Sequence, residues 1–246
     1  MGNIPQALIG ALDGAEYVTV LTGAGISSES GVPTFRGKDG IWRKHNPMQL
    51  ATPEAFERDP KLVWEWYLYR RGLMQGVHPN PAHLAIVELE RRYSRFLLIT
   101  QNVDDLHRKA GSLELVELHG NIFKVRCSMC ERKLSEMPEL EGLPPRCECG
   151  GNLRPDVVWF GEMLPHAALE RAFEAAAQCD CMLVVGTSAV VQPAASLPLI
   201  AKREGAFVAE LNYEPTPLSH LVDISLMGKA GELMPLLLRH LEAKGD

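Results

Sequence analysis

The sequence predicts an α/β protein: a parallel sheet covered on both faces, with a smaller lobe built from insertions. Three observations carry this. Short apolar, β-branched runs alternate with helical patterns along the chain. Those runs are apolar nearly throughout, as strands buried on both faces must be. The residues that end them are almost all polar or glycine, which suits a parallel sheet, whose ligands bind beyond the carboxyl ends of its strands.

Taken in order, "MGNIPQALIGALDGAEY" reads as a helix over 4–13. No positive segment precedes its apolar part, and Asp13 and Glu16 follow, so it does not read as a signal peptide. "YVTVLTG" (17–23) is the first strand. Residues 38–80 break the alternation; they are rich in Trp, Tyr and Pro and carry one long helix, 60–75. A helix over 81–93 leads into the strands "RFLLITQN" (95–102) and "LVELHGN" (115–121). Residues 123–151 hold four cysteines and no helical period, and form a second insertion. The alternation then resumes: strand "DVVWFGE" (156–162), helix 166–178, strand "CMLVVGTS" (181–188), helix 192–204, strands "FVAELNY" (207–213) and "VDISLMG" (222–228), helix 231–243. Residues 181–201 carry no charge over 21 positions, enough to span a bilayer. Gly186, Gln192, Pro193 and Pro198 divide that stretch into a buried strand and a helix instead. The large domain is thus expected to hold 1–37, 81–122 and 152–246, with 38–80 a helical insertion of the small lobe and 123–151 a metal-binding module.

The totals set bounds on this reading. The 246 residues are 46% hydrophobic and 23% charged, an ordinary globular composition. Acids outnumber bases 31 to 25, and no basic run stands out, which argues against a nucleic-acid backbone as the main partner. With no export signal, the six cysteines are expected in a reducing cytoplasm.

The first strand leads into Gly23-Ala24-Gly25, the start of a phosphate turn. The dinucleotide fingerprint G-x-G-x-x-G then requires glycine at 28, where Ser28 stands. The acidic residue that grips a ribose about 20 residues on is also missing; positions 43–45 read Arg43-Lys44-His45. Downstream, Cys127 and Cys130 form one close pair and Cys147 and Cys149 another, with 16 residues between them. That pattern reads as a tetrathiolate zinc site, structural because four thiolates leave no open position. Gly150-Gly151 would let the backbone fold around the metal. Cys179 and Cys181 begin an apolar strand and read as packed thiols. His107 is expected to be a structural hydrogen-bonding residue and Asp105 a solvated or capping acid. The remaining histidines apart from His119 (45, 78, 83, 166, 220 and 240) are expected at the surface. His119 ends a strand, and on its own could be either core or catalytic.

Several motifs, in order, resemble one family: "GAGISSESGVPTFRG", "TQNVDDLH", "ELHGN", the cysteine quartet, "RPDVVWFGE", "VVGTSAVV" and "ELNYE". The chain is similar from about residue 8 to 240 to the sirtuins, NAD-dependent protein lysine deacylases. The resemblance implies a large Rossmann-like NAD domain in which a loop replaces the standard turn. That loop, 23–42, with Gly23, Ala24, Gly25, Ile26 and Ser27, would wrap the pyrophosphate and nicotinamide ribose, and Phe35 and Arg36 would line the nicotinamide end. Gln101, Asn102 and Asp104 would hold nicotinamide and its ribose, Asn102 within the catalytic centre. Gly186, Thr187 and Ser188 would meet the phosphate–adenosine side. Asn212, Tyr213 and Glu214, with Ala230, would complete the cofactor site at later strand ends. Val158, Trp159, Phe160, Gly161 and Glu162 would pair with the backbone of an acyl-lysine protein or peptide.

The implied chemistry starts with attack of the acyl-lysine carbonyl oxygen on C1′ of the nicotinamide ribose, releasing nicotinamide. His119 then acts as general base on a ribose hydroxyl. Water completes the reaction to free lysine and O-acyl-ADP-ribose. Tyr67 and Arg70 lie three apart on one helical face. Sirtuins that prefer succinyl or malonyl groups carry such a Tyr-x-x-Arg pair, and an arginine can grip a carboxylate bidentately. Arg71 is expected to be solvated on another face. Two other readings stay open: a NAD-binding sensor without turnover, and a hydride-transferring dehydrogenase. The incomplete fingerprint weighs against the dehydrogenase, and the intact "QNVD" and "LHGN" weigh against the sensor.

Overall fold

The computed structural model describes residues 4–34, 46–138 and 142–243. Its strands are β1 (Tyr17–Thr22), β2 (Arg95–Thr100), β3 (Leu115–Glu117), β4 (Gly120–Cys127), β5 (Lys133–Leu134), β6 (Leu153–Val157), β7 (Cys181–Val185), β8 (Phe207–Asn212) and β9 (Ile224–Met227). Its helices are α1 (Gln6–Asp13), α2 (Gly25–Ser28), α3 (Pro47–Leu50), α4 (Pro53–Arg58), α5 (Pro60–Met74), α6 (Pro81–Arg92), α7 (Leu106–Ala110), α8 (His166–Gln178), α9 (Leu197–Arg203) and α10 (Ala230–Glu242).

One six-stranded sheet runs β3-β2-β1-β7-β8-β9, and every pair in it is parallel. From β1 the chain builds outward through β2 and β3, then returns to the other side of β1 with β7, β8 and β9. The order reverses between β1 and β7, so their carboxyl ends flank a crevice. Side chains alternate across each strand. Val18, Val20, Leu98 and Leu183 face one layer of helices, where Leu8, Leu12, Ile86, Leu89 and Leu237 from α1, α6 and α10 complete a core. Leu21, Leu97, Met182 and Val184 face the other, against Ala172, Ala176, Leu197 and Ala201 of α8 and α9. Among the described residues, no helix is long and apolar enough to cross a membrane; the uncharged stretch after residue 180 divides into β7, a 3₁₀ turn and α9.

The small lobe has its own antiparallel sheet, β5-β4-β6. Val63, Trp64 and Tyr67 of α5 pack on Ile122, Val125 and Trp159 in a third core. Trp64 Nε1 donates to the Leu153 carbonyl at 2.8 Å, which ties α5 to β6. Four helices in this region start with the same device, a capping side chain followed by proline: Asn46-Pro47, Thr52-Pro53, Asp59-Pro60 and Asn80-Pro81. Each cap accepts from a first-turn amide, and each proline stands where no helical N–H is needed. The sequence predicts one long helix here; α3 and α4 are additional, because their four and six residues are too short to show a period.

Three expectations are corrected. Residues 156–162 do not form a strand of the parallel sheet. The strand is Leu153–Val157, and it pairs with β4 in the small sheet. Beyond it the chain turns, because the Glu162 carboxylate captures the Trp159 amide at 2.8 Å. His83 is not on the surface but fully buried. The Asn80 cap puts it in the first turn of α6, beneath Ser27 of α2, where its ring lies 4.8 Å from that of His107. Arg71 is not solvated either. It donates to the Ile122 and Lys124 carbonyls and lies over the Trp64 ring, joining α5 to β4. His107 does serve structurally, within 3.0 Å of Thr22 Oγ1, and Cys179 and Cys181 are packed in the core.

Candidate active site

The crevice opens into a cavity of about 740 Å³ between the two lobes. The strand-end residues that polarity marked in the sequence meet there. Gly23, Ala24 and Gly25 follow β1; Gln101 and Asn102 follow β2; His119 lies between β3 and β4; Gly186, Thr187 and Ser188 follow β7; Asn212, Tyr213 and Glu214 end β8; Ala230 opens α10. From the small lobe, Tyr67 and Arg70 of α5 and the segment Val158, Trp159, Phe160, Gly161 and Glu162 close the other side. Ile26, Ser27 and Asp104 do not line the cavity. They lie buried beneath it, and burial raises the Asp104 pKa. Phe35 and Arg36 lie outside the described residues.

The floor is made by backbones in direct contact. Gly25 N donates to the Gly186 carbonyl at 2.7 Å. A Cβ on Gly25 would sit 2.7 Å from that oxygen, and one on Gly186, where φ is +62°, would collide with Ile26 N. No side chain fits at either position. Among the described residues, the amides of Ala24, Thr187 and Ser188 find no acceptor. All three residues line the cavity, so these N–H groups are candidates to meet the oxygens of a pyrophosphate.

Side chains fix the rest. Gln101 Nε2 donates to Thr187 Oγ1 at 3.0 Å, bridging the two sides of the crevice. Asn102 donates to the Gly23 carbonyl and to Ser27 Oγ, both at 3.1 Å. Asn212 donates to the carbonyls of Thr187 and Glu214, holding the loop after β8 against the one after β7. His119 Nδ1 stands 2.9 Å from the Gln101 carbonyl. A carbonyl only accepts, so Nδ1 carries the proton and Nε2 the lone pair. Burial pushes the His119 pKa down, and the Gln101 hydrogen bond offsets part of that shift. The ring is therefore neutral near pH 7, with one basic nitrogen. The His119 carbonyl accepts from Val158 N at 2.9 Å, so the segment entering the turn is tied to His119.

Tyr67 and Arg70 are 2% and 4% exposed. The Arg70 guanidinium lies 5.0 Å from the Trp66 ring and 5.8 Å from the Tyr67 ring. Tyr67 Oη accepts from Trp159 Nε1 at 2.9 Å. Of residues 158–162, Glu162 has its carboxylate turned to the protein, where it pairs with Arg154 and Arg126. Those guanidinium groups hold its pKa below the usual carboxylate range against the effect of burial.

The four cysteines converge at the far end of β4 from His119. Their sulfurs lie within 4.8 Å of one another, with Cys127–Cys149 at 3.5 Å and Cys130–Cys147 at 3.8 Å. A tetrahedral ion about 2.3 Å from each sulfur sets them about 3.8 Å apart, so the cluster fits zinc. Gly151 completes the cradle: a Cβ there would sit 2.9 Å from Cys127 Sγ.

Residues 23–193 match the Sir2 family. The chain belongs to the Sir2 family. Among its Sir2 relatives, NAD-dependent protein deacylase 1 of Archaeoglobus fulgidus is 50% identical over 237 residues, covering 96% of this chain and 97% of its own. An NAD-dependent protein deacylase of Thermus thermophilus is 55% identical over 232 residues, covering 92% and 91%. A Sir2 homologue in complex with NAD superposes with a TM-score of 0.92 at 48% identity, covering 100% of this chain and 96% of that one. A more distant Sir2 structure, 32% identical with a TM-score of 0.86 and covering 96% and 97%, holds a deacetylated p53 peptide and 3′-O-acetyl-ADP-ribose.

Ala51, Gln192 and Lys229 also line the cavity and were not anticipated. Lys229 follows the β9 end, so the strand-end rule extended by one strand would have found it. Ala51 comes from the turn after α3, and no local pattern marks it.

Proposed function

We propose that the chain is a NAD-dependent protein lysine deacylase. His119 carries the reading. It lines the cavity as a neutral imidazole whose tautomer is set by the Gln101 carbonyl, so it can take a proton on Nε2. When bound, NAD supplies the ribose that accepts the acyl group, with nicotinamide as leaving group. The Ala24, Thr187 and Ser188 amides would hold its pyrophosphate, and Asn212, Tyr213, Glu214 and Ala230 the adenosine side. Gln101 and Asn102 would orient the nicotinamide end beside His119, while Ile26, Ser27 and Asp104 would support Asn102 from below. Val158 to Glu162 would bind the peptide backbone, and Cys127, Cys130, Cys147 and Cys149 would hold one structural zinc. Four thiolates of this kind suit a reducing compartment such as the cytoplasm.

For the acyl group, our reading is succinyl or malonyl alongside acetyl. Its support is a buried guanidinium on the wall of the same cavity as His119, beside a tyrosine hydroxyl. A carboxylate matches Arg70 in charge and in geometry.

The test is incubation with NAD and acetyl, succinyl or unmodified lysine peptides. Nicotinamide release that depends on the acyl peptide, with matching O-acyl-ADP-ribose, is expected. NADH formation, or cofactor binding without turnover, would overturn the proposal.

A further inference from the structure

We infer that Trp159 is a positioning residue for acidic acyl chains, one that sets the direction of the Tyr67 hydroxyl. The inference rests on the acyl reading of Tyr67 and Arg70 given above.

An indole nitrogen donates and never accepts. Trp159 Nε1 lies 2.9 Å from Tyr67 Oη, so the hydroxyl oxygen must be the acceptor in that bond. The hydroxyl proton is thereby directed away from Trp159, and among the described residues no acceptor takes it. Tyr67 is 2% exposed and lines the cavity together with Arg70. A buried O–H without an acceptor is unfavourable. A carboxylate offers oxygens that only accept, so it can take the Tyr67 proton while its charge matches that of Arg70. The methyl end of an acetyl group offers that proton no acceptor.

The indole is itself held on several sides. Its ring lies 5.3 Å from that of Phe56. The Arg154 guanidinium sits over it at 3.2 Å, where a cation draws electron density from the ring and strengthens the N–H as a donor. Arg154 donates to Glu162 at 2.9 Å, and Glu162 in turn accepts from the Trp159 amide at 2.8 Å. The polarity of the acyl pocket is thus set by a chain of contacts reaching into the small sheet.

Trp159→Phe removes the N–H and keeps an aromatic ring. The ratio of succinyl to acetyl kcat/KM is expected to fall about 3- to 10-fold, because the hydroxyl remains but is free to rotate. In a Tyr67→Phe background the same change should move the ratio by less than about 2-fold, since nothing is left to orient. An unchanged ratio in the single variant, or an equal fall with and without the hydroxyl, overturns the inference. Should Trp159→Phe alone fail to fold, comparing Tyr67→Phe with the double variant, which leaves no unpaired N–H, still decides it: a further fall in the ratio overturns it. Arg70→Met run in parallel separates the two claims. If it leaves the ratio intact, the acyl reading itself fails; if it lowers the ratio while Trp159→Phe does not, only this inference fails.

Discussion

Arg70→Met tests the proposed acyl recognition with little change in shape. The side chain is 4% exposed and lies against the Trp66 and Tyr67 rings, so methionine can fill most of its volume on an apolar wall. What disappears is the charge. Two unit charges about 4 Å apart interact by about 4 kcal/mol at an effective dielectric of 20. Truncating one partner of a buried, hydrogen-bonded pair costs roughly 2–5 kcal/mol by mutational measurement. At about 1.4 kcal/mol per factor of ten, succinyl kcat/KM should fall on the order of 10²-fold or more. Acetyl turnover should change little or rise, as the wall becomes more apolar. Burial opposes the charged form of this guanidinium, and the melting curve reports how far the groups around it offset that cost. The assay is kcat/KM for both peptides with wild type and variant, alongside a melting curve. Equal losses on both peptides would show that Arg70 supports the helix or the cofactor loop and does not read the acyl chain.

His119→Ala should lower product formation by a factor on the order of 10² to 10⁴ with nicotinamide exchange less affected, and near-normal product formation would refute the base assignment. Metal analysis should find one zinc per chain; its chelation should loosen the small sheet and then activity, because the strand that carries Cys127 begins at Gly120 beside His119, and a metal-free protein of normal stability would end that reading. Gly25→Ala should weaken NAD binding and stability together, since its Cβ would meet the Gly186 backbone at 2.7 Å; unchanged NAD affinity by calorimetry would contradict the tight floor. Stability should also depend on pH through His83, whose pKa burial lowers to about 4, and through His107, held well below the ordinary value. Below about pH 6.5 the unfolded chain takes up protons that the folded protein refuses, so stability is complete above that pH and is lost as pH falls. His83 alone should remove about 2 kcal/mol by pH 5, and a urea midpoint that stays flat between pH 7 and 5 would count against the buried pair.

The features legible in the sequence are those written within a few residues. Apolar strands bounded by glycine and polar ends identified β1, β2, β7 and β8, and with them the side of the sheet where the cavity opens. The period of 166–178 matched α8 residue for residue. The cysteine spacing announced a cluster that the fold brings together. Each of these signals is local, because strand alternation, helical period and metal-ligand spacing act over less distance than one element.

Other features depended on which elements meet. "DVVWFGE" looks like another buried strand, yet Leu153–Val157 belongs to the small sheet, since its pairing partner is β4 and a strand carries no mark of its partner in its own residues. Nothing near His83 distinguishes it from a surface histidine; the fold buries it by packing α6 beneath α2. Arg71 and Arg70 are adjacent in sequence, but a helix turns about 100° per residue, so one reaches the β4 carbonyls and the other the cavity wall. Residue order along the chain established which groups could do chemistry. Their burial, their partners and the direction of each hydrogen bond were settled when distant segments came to share one space, because desolvation and hydrogen bonding depend on what surrounds a group in three dimensions and not on its neighbours along the chain.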